Sequence, residues 1–418
     1  MVCFPQIGAP GRNGMNAQPE LVWTENNEAR SSLWRMDHGS AVPKKVVIAD
    51  DTMSADTAFR LACEGTGLLW RGDFQNARQL LQALARRIDK PKKPRNKKTH
   101  AEAPVLAGAA FHTHRQAQAH RSRVLNQILI ELEGDYGIPL RRAPDARQAC
   151  AQAFGPANGQ SCVLSLRSLQ GAIGAFEWRK NGVEVPALGE ALRIHPHYGV
   201  FSPVRGEYVA LVVKAPWPAA LKTHSVAFDI GVGTGVLSAV LARRGAAQVV
   251  GTDMSDRALA CAKDNLQRLG LQNQVQLVAA DLFPSGQAAL VVCNPPWLPA
   301  RPTSLLDQAV YDEGSQMLKG FLAGLAAHLC PGGEGWLILS DLAEHLGLRT
   351  RDELMSWIDA AGLTVLGRMD AKPVHGKARD STDPLHEARA AEVTSLWRLA
   401  AQGGSPLTTT TETLTHLS

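Results

Sequence analysis

The chain has 418 residues, enough for two or three domains with buried cores. Apolar residues make up 45% and charged residues 20%, an ordinary balance for a globular protein, and a net charge of +5 is too small to impose a partner class. Seven cysteines without metal-ligand spacing argue against a disulfide framework or a metal site and are expected as free thiols of a reduced, cytoplasmic protein. No run reaches the roughly 18 apolar residues of a membrane span, so no membrane partner is expected.

Residues 1–50, rich in Gly, Pro and Asn, are expected to be irregular and flexible. The N-terminus lacks the basic-then-apolar pattern of a signal peptide. Its first residues are expected to be disordered, or Met15 or Met36 is the true start. Residues 51–150 are expected to form a helical region. Phe74, Ala77, Leu81, Leu84 and Ile88 fall on one helical face within 52–89. The run "RRIDKPKKPRNKK", residues 86–98, sets eight basic residues against one acid. It suits a solvated linker or a phosphate-contacting strip, and no interleaved aromatic supports single-strand binding. A further helix is expected over 115–134, with Val124, Ile128, Leu129 and Leu132 facing inward and Gly134 as its stop.

Residues 151–215 read as a small β-rich segment leading into the core. "CVLSLRSL", "AFEWRKNGVEVPAL" and "YVALVVKAP" supply its elements, with Asn181-Gly182 as a hairpin signal. Trp178 and Trp336 are expected as packing residues. From 216 to 401, strand and helix patterns alternate, which argues for a parallel sheet wrapped by helices. A polar stretch, 370–392, lies between the last two strands. The low-complexity tail, 402–418, is expected to be disordered.

Within this last domain, "VAFDIGVGTGVLSAVLARRG" places a strand ending at Asp229 before the loop Gly231-Val232-Gly233-Thr234-Gly235 and a helix. Glycines permit the tight turn and the close approach of a ligand to the backbone. The helix start offers free N–H groups to an anion. A second strand, "AQVVGTD", ends at Asp253, where an acid can accept hydrogen bonds from both hydroxyls of a ribose. Loop and acid together fit a dinucleotide or S-adenosylmethionine. His195 and His197 flank Pro196, but further ligands at telling spacing are lacking, so no metal is expected.

The fourth strand of this region ends in "LVVCNPPW", with Asn294, Pro295, Pro296 and Trp297 at its carboxyl end. Ligands in open α/β sheets bind beyond those ends. Two acceptors, the Asn294 side-chain oxygen and the Pro295 carbonyl, can hold both N–H bonds of a planar amide or aromatic amine. That steers the delocalised nitrogen lone pair toward an electrophile. Trp297 can stack on the flat acceptor.

The GxGxG loop preceded by Asp229 resembles class I S-adenosylmethionine-dependent methyltransferases. Asn294–Trp297 is similar to the Asn/Asp-Pro-Pro-aromatic signature of their amino-directed members. "YGVFSPVRGEYVALV" (198–212) and "YDEGSQMLKGFL" (311–322) resemble segments of the HemK-like and "methyltransferase small" groups. The resemblance covers about 195–400. It implies a Rossmann-like, seven-stranded, mainly parallel sheet with an antiparallel last strand, preceded by the helical and β-rich regions. It also implies S-adenosylmethionine as cofactor. Asp229, Gly231, Gly233, Thr234 and Gly235 would hold its methionine part, Asp253 its ribose, and Asp281 and Leu282 its adenine, with Met254 a further cofactor-binding residue. The acceptor is expected to be macromolecular: first an RNA base, alternatively a glutamine of a release factor or ribosomal protein. A small metabolite, or a non-catalytic cofactor-binding module, stays open.

Overall fold

The computed structural model describes residues 19–35, 41–90, 108–204, 206–304, 306–373, 380 and 383–403. Its N-terminal part is built on six strands: β1 (Glu20–Glu25), β2 (Glu28–Trp34), β3 (Val46–Ala49), β4 (Gly67–Trp70), β5 (Ile128–Leu132) and β6 (Cys162–Ser165). Their spatial order is β1-β2-β6-β5-β4-β3. Asn26 and Asn27 turn β1 into β2 with φ of 52° and 66°. Such positive φ values suit a two-residue hairpin turn, and asparagine tolerates them. Helices α1 (Ala55–Cys63), α2 (Phe74–Ile88), α3 (Ala109–Leu125), α4 (Arg147–Phe154) and α5 (Leu166–Asn181) complete this part. Side chains alternate across the sheet. Leu68, Trp70, Ile128, Ile130 and Leu164 pack with the helices, whereas Leu69, Leu129 and Val163 pack with Leu21, Trp23 and Trp34.

Over the described residues 19–35, 41–90 and 108–150 this α/β sheet replaces the irregular segment expected over 1–50 and the helical region expected over 51–150; residues 1–18, where a disordered start was expected, lie outside the described residues. Strands such as "VVIA", "GLLW" and "ILIEL" are short apolar runs, and periodicity cannot separate these from helix segments. The helix expected over 115–134 ends at Leu125, and Ile128, Leu129 and Leu132 are strand residues. The α2 face is as expected, with Phe74, Ala77, Leu81 and Leu84 buried. Within 151–215 the expected β-rich segment is mostly helical. "CVLS" is strand as expected, as β6, but Gly182 closes α5 at φ 69°, and beyond it just the two-residue strands β7 (Val183–Glu184) and β8 (Arg193–Ile194) pair with each other among the described residues. "YVALVVKAP" forms α6 (Glu207–Lys214), burying Tyr208, Val209, Leu211 and Val212. Trp336 is fully buried, but Trp178 is 49% exposed and is not a core residue.

The second large sheet has seven strands: β9 (Val226–Ile230), β10 (Gln248–Asp253), β11 (Val275–Ala279), β12 (Ala288–Cys293), β13 (Leu329–Ser340), β14 (Leu363–Ala371) and β15 (Thr394–Ala401). Their order is β11-β10-β9-β12-β13-β15-β14. The first five are parallel neighbours, and β15 runs antiparallel to both β13 and β14. This is the sheet implied by the methyltransferase resemblance. Helices α7 (Val236–Arg243), α8 (Asp256–Arg268), α9 (Gln316–His328), α10 (Leu342–His345), α11 (Arg351–Ala360) and α12 (His386–Ala391) lie between the strands in sequence. Two core clusters, one containing α7 and α8 residues and the other α9 and α11 residues, draw on opposite sides of these strands. The strand order reverses between β9 and β12, which opens a crevice beyond their carboxyl ends. The glycine loop and Asn294 both follow those ends.

Two seams join the halves. At one, Arg257 Nη1 donates to the carbonyls of Ala153 and Tyr198, both at 3.0 Å, and Asp264 pairs with Arg179 at 3.2 Å. At the other, the start of α3 packs beside the chain that follows Trp297. Residues 91–98 of the basic run and 404–418 of the tail lie outside the described residues.

Candidate active site

β9 is apolar except for Asp229, which is 1% exposed. Its Oδ2 accepts a 2.7 Å hydrogen bond from Ser238 Oγ in α7. Burial pushes the Asp229 carboxyl up to about 6, opposed by the Ser238 hydrogen bonds and aided by the charge of Asp253. Gly231, Gly233 and Gly235 follow with φ of 77°, 51° and 81°. Glycine is needed at the first of these on two counts. The backbone is left-handed, and a Cβ there would stand 2.9 Å from Met317 Cε. The N–H groups of Gly231 and Val232 donate to Thr252 O at 2.9 and 2.8 Å, which stitches the loop to β10.

Asp253 ends β10. Its Oδ2 accepts from Gly233 N at 3.1 Å and its Oδ1 from Ser255 N at 2.9 Å. A carboxylate oxygen has a second lone pair, so both retain capacity for a ligand hydroxyl. Met254 beside it is 74% exposed. After β11, Asp281 is exposed and Leu282 half-buried. Leu282 takes a left-handed φ of 69°, and its carbonyl accepts from Thr252 Oγ1. The ends of three adjacent strands are thus tied together around the loop. Thr234 is buried and serves the interior: its carbonyl accepts from Asn265 Nδ2 at 3.0 Å.

β12 is buried throughout and delivers Asn294 at its end. Pro295 is buried, and Asn294, Pro296 and Trp297 are half-buried. Trp297 Nε1 donates to Asn294 Oδ1 at 2.9 Å. Its ring also packs against both core clusters of the sheet. Neighbouring Cys293 is wholly buried, and burial pushes its thiol well above the usual range, so it supplies no thiolate here. His195 and His197 have other partners: Arg179 O at 2.6 Å and Asp264 Oδ2 at 3.1 Å, respectively. Among the described residues no group of three or more His, Cys, Asp and Glu is placed to hold a metal.

Sequence reasoning missed several participants. Ser238 holds Asp229. Asp312 caps α9 through Met317 N at 3.1 Å and Leu318 N at 3.2 Å, which sets Met317 over the glycine loop. The "YDEGSQML" stretch carried that signal, but only as a resemblance. Phe111 and Arg115 of α3 lie against the chain that follows Trp297, and no local pattern marks them. The glycine loop that a side chain would obstruct, with the half-buried acid beside it, fits the methionine and ribose parts of S-adenosylmethionine.

Residues 191–349 match the family model described as the Methyltransferase small domain. Over 163 residues the chain is 29% identical to a Methanocaldococcus jannaschii protein named provisionally as a protein N5-glutamine methyltransferase, covering 37% of this chain and 78% of that one. It is 28% identical over 171 residues to the release factor glutamine methyltransferase of Cereibacter sphaeroides, covering 37% and 59%. It is 33% identical over 118 residues to the ribosomal protein L11 methyltransferase of Yersinia pseudotuberculosis, covering 28% and 40%. The chain therefore spans less than two thirds of the second and third of these relatives. With its strand order, its glycine loop and its strand-end acid, the 191–349 region is a class I methyltransferase domain that uses S-adenosylmethionine.

Proposed function

We propose that the chain transfers a methyl group to a planar amide nitrogen, the side-chain amide of a glutamine in a protein. The observation that carries this reading is Asn294-Pro295-Pro296-Trp297 at the end of β12, beside the point where the strand order reverses. Two of the similar proteins are named for glutamine methylation and one for methylation of a ribosomal protein. This puts protein ahead of the RNA base expected first from sequence.

S-adenosylmethionine supplies an electrophilic methyl group on a sulfonium. Gly231, Gly233 and Asp229 would border its methionine part, Asp253 its ribose, and Leu282 with Asp281 its adenine. Asn294 Oδ1 and the Pro295 carbonyl would accept the two N–H bonds of the acceptor amide. That arrangement turns the nitrogen lone pair out of conjugation and toward the methyl group. The two prolines hold the accepting carbonyl without further ordering at the moment of reaction. Trp297 would flank the flat acceptor. The proton leaves the nitrogen after transfer, so no general base has to act first.

An RNA acceptor keeps one supporting observation. Helix α3 has three arginines, three histidines and no acid, and His112, His120 and Arg123 are exposed on it. Tritiated-methyl transfer into a fractionated lysate, followed by separate protease and nuclease digestion, distinguishes the readings. Label released only by protease supports glutamine, and label released only by nuclease supports RNA. Absence of S-adenosylmethionine binding would leave only a non-catalytic module.

A further inference from the structure

Helix α3 belongs to both halves of the molecule. At its end, Val124 and Leu125 are buried in the core of the N-terminal sheet. At its start, Phe111 is 2% exposed and packs with Leu298, Leu342, Leu346 and Leu385 of the methyltransferase half. Thirteen residues separate Phe111 from Val124, or about 20 Å of helix.

One turn beyond Phe111, Arg115 reaches the chain that leaves Trp297. Its Nη2 donates to the Arg301 carbonyl at 2.7 Å, its Nη1 lies 3.6 Å from Asp307 Oδ2, and its guanidinium sits 4.0 Å from the Tyr311 ring centroid. These three contacts span both limbs of one loop, Leu298 to Tyr311, described except at residue 305. The loop is closed on itself. Leu298 N donates to Val310 O, Asp312 N to Leu298 O, and Tyr311 N to Asp307 O. Its entrance follows Asn294–Trp297 directly. Its exit is Asp312, which caps α9 and so places Met317 over the glycine loop. A guanidinium can make a carbonyl bond, an ion pair and a ring contact at once, which an ammonium cannot reproduce.

We propose that Arg115 is a positioning residue for the methyl acceptor, the link through which the N-terminal domain fixes the loop beside Asn294 and thereby selects the acceptor. Arg115 contacts Arg301, Asp307 and Tyr311 of the loop that follows Trp297 and no residue of the glycine loop, so its effect falls on acceptor fit ahead of cofactor affinity. This rests on the methyltransferase reading and extends it to the function of the N-terminal sheet.

The experiment uses the full chain with Arg115→Ala and Arg115→Lys. Amide hydrogen exchange is followed at Leu298, Val310, Tyr311 and Asp312, and S-adenosylmethionine affinity by calorimetry. Tritiated-methyl incorporation is titrated against the protein fraction of a lysate. Loss of a charge-assisted contact predicts, for Arg115→Ala, loop exchange about tenfold faster and half-saturation by the protein fraction about tenfold higher. Cofactor affinity should stay within about twofold, and Arg115→Lys should recover part of both effects. Loop exchange and half-saturation equal to wild type would overturn the proposal. So would a loss confined to cofactor affinity or to melting temperature. A wild-type chain that labels no protein defeats the glutamine reading, and the exchange measurements still decide for or against Arg115.

Discussion

The indole N–H of Trp297 meets Asn294 Oδ1 at 2.9 Å. An indole nitrogen only donates, so the atom facing it must be the amide oxygen. This fixes which way round the Asn294 amide sits and engages one lone pair of its oxygen, leaving the other for an acceptor N–H. Phenylalanine cannot do this. Trp297→Phe keeps a ring but removes the donor, and one neutral hydrogen bond contributes about 1 kcal/mol. Single-turnover methyl transfer should slow by about fivefold, with little change in the acceptor's KM. Wild-type rates for Trp297→Phe would show that the bond does not matter to the reaction.

Asn294→Ala should cost far more, on the order of a hundred- to a thousand-fold in the transfer rate, with cofactor binding nearly intact. Asn294→Asp keeps an accepting oxygen and should retain partial activity. The check is the same single-turnover assay with the identified acceptor. An unimpaired Asn294→Ala would reduce the strand-end motif to a turn.

Asp253→Ala should raise the S-adenosylmethionine dissociation constant by about ten- to a hundred-fold, since hydrogen bonds to a charged acceptor are worth roughly 1.5–3 kcal/mol. Asp253 also holds Gly233 N, so the loop loosens as well as the ribose contact. Calorimetry on a variant with an unchanged melting temperature measures this, and equal affinity would remove Asp253 from the site.

Asp229 gives a pH signature. Its carboxyl stands at about 6 in the fold against a reference of 3.8. The raised value means the folded chain holds this proton more tightly than the unfolded one. Its contribution to stability is therefore fully present below the reference value and is lost as pH rises through about 6. Asp229→Asn keeps a partner for Ser238 and should abolish that slope. At pH 7.5 it should gain stability on the order of 3 kcal/mol at most. The same substitution removes a negative charge from the expected site of the methionine ammonium, so it should bind cofactor more weakly. Urea melts at pH 5 and 7.5, paired with calorimetry, test both halves. A variant with the wild-type pH slope would locate the titration elsewhere.

The basic run separates the acceptor classes. Lys92, Lys93, Lys97 and Lys98 lie outside the described residues. If they contact RNA phosphates, their replacement by Gln should flatten the salt dependence of RNA binding by about three to four units. An unchanged slope in filter binding would leave the run a linker.

What could be read from sequence divides by distance along the chain. Asp229 with its glycine loop, Asp253, and Asn294 with its prolines each announce themselves within a few residues, and the seven-stranded sheet is what their resemblance to class I methyltransferases implies. The N-terminal sheet escapes the sequence because β3 and β4 have four residues each and β5 five, too few to display a period. Their pairing with strands tens of residues away is settled by packing. "YVALVVKAP" was misread for a related reason: α6 is apolar over most of its surface, and a β-branched run without a polar face resembles a strand. Arg115 was out of reach altogether. Its carbonyl partner lies 186 positions further on, and nothing in "FHTHRQ" anticipates it.

The position of β15 bears on how the chain is made. Residues 394–401 insert between β13 and β14, both of which leave the ribosome earlier. Until that segment emerges, the two strands have no partner for the flanks they turn toward each other, and each presents an unpaired edge to other nascent chains. The order of synthesis thus leaves the sheet open at an interior gap until the last of its described strands emerges. A product ending before Thr394 should accumulate in the insoluble fraction, and supplying the missing strand on a separate peptide should be a poor substitute for having it tethered.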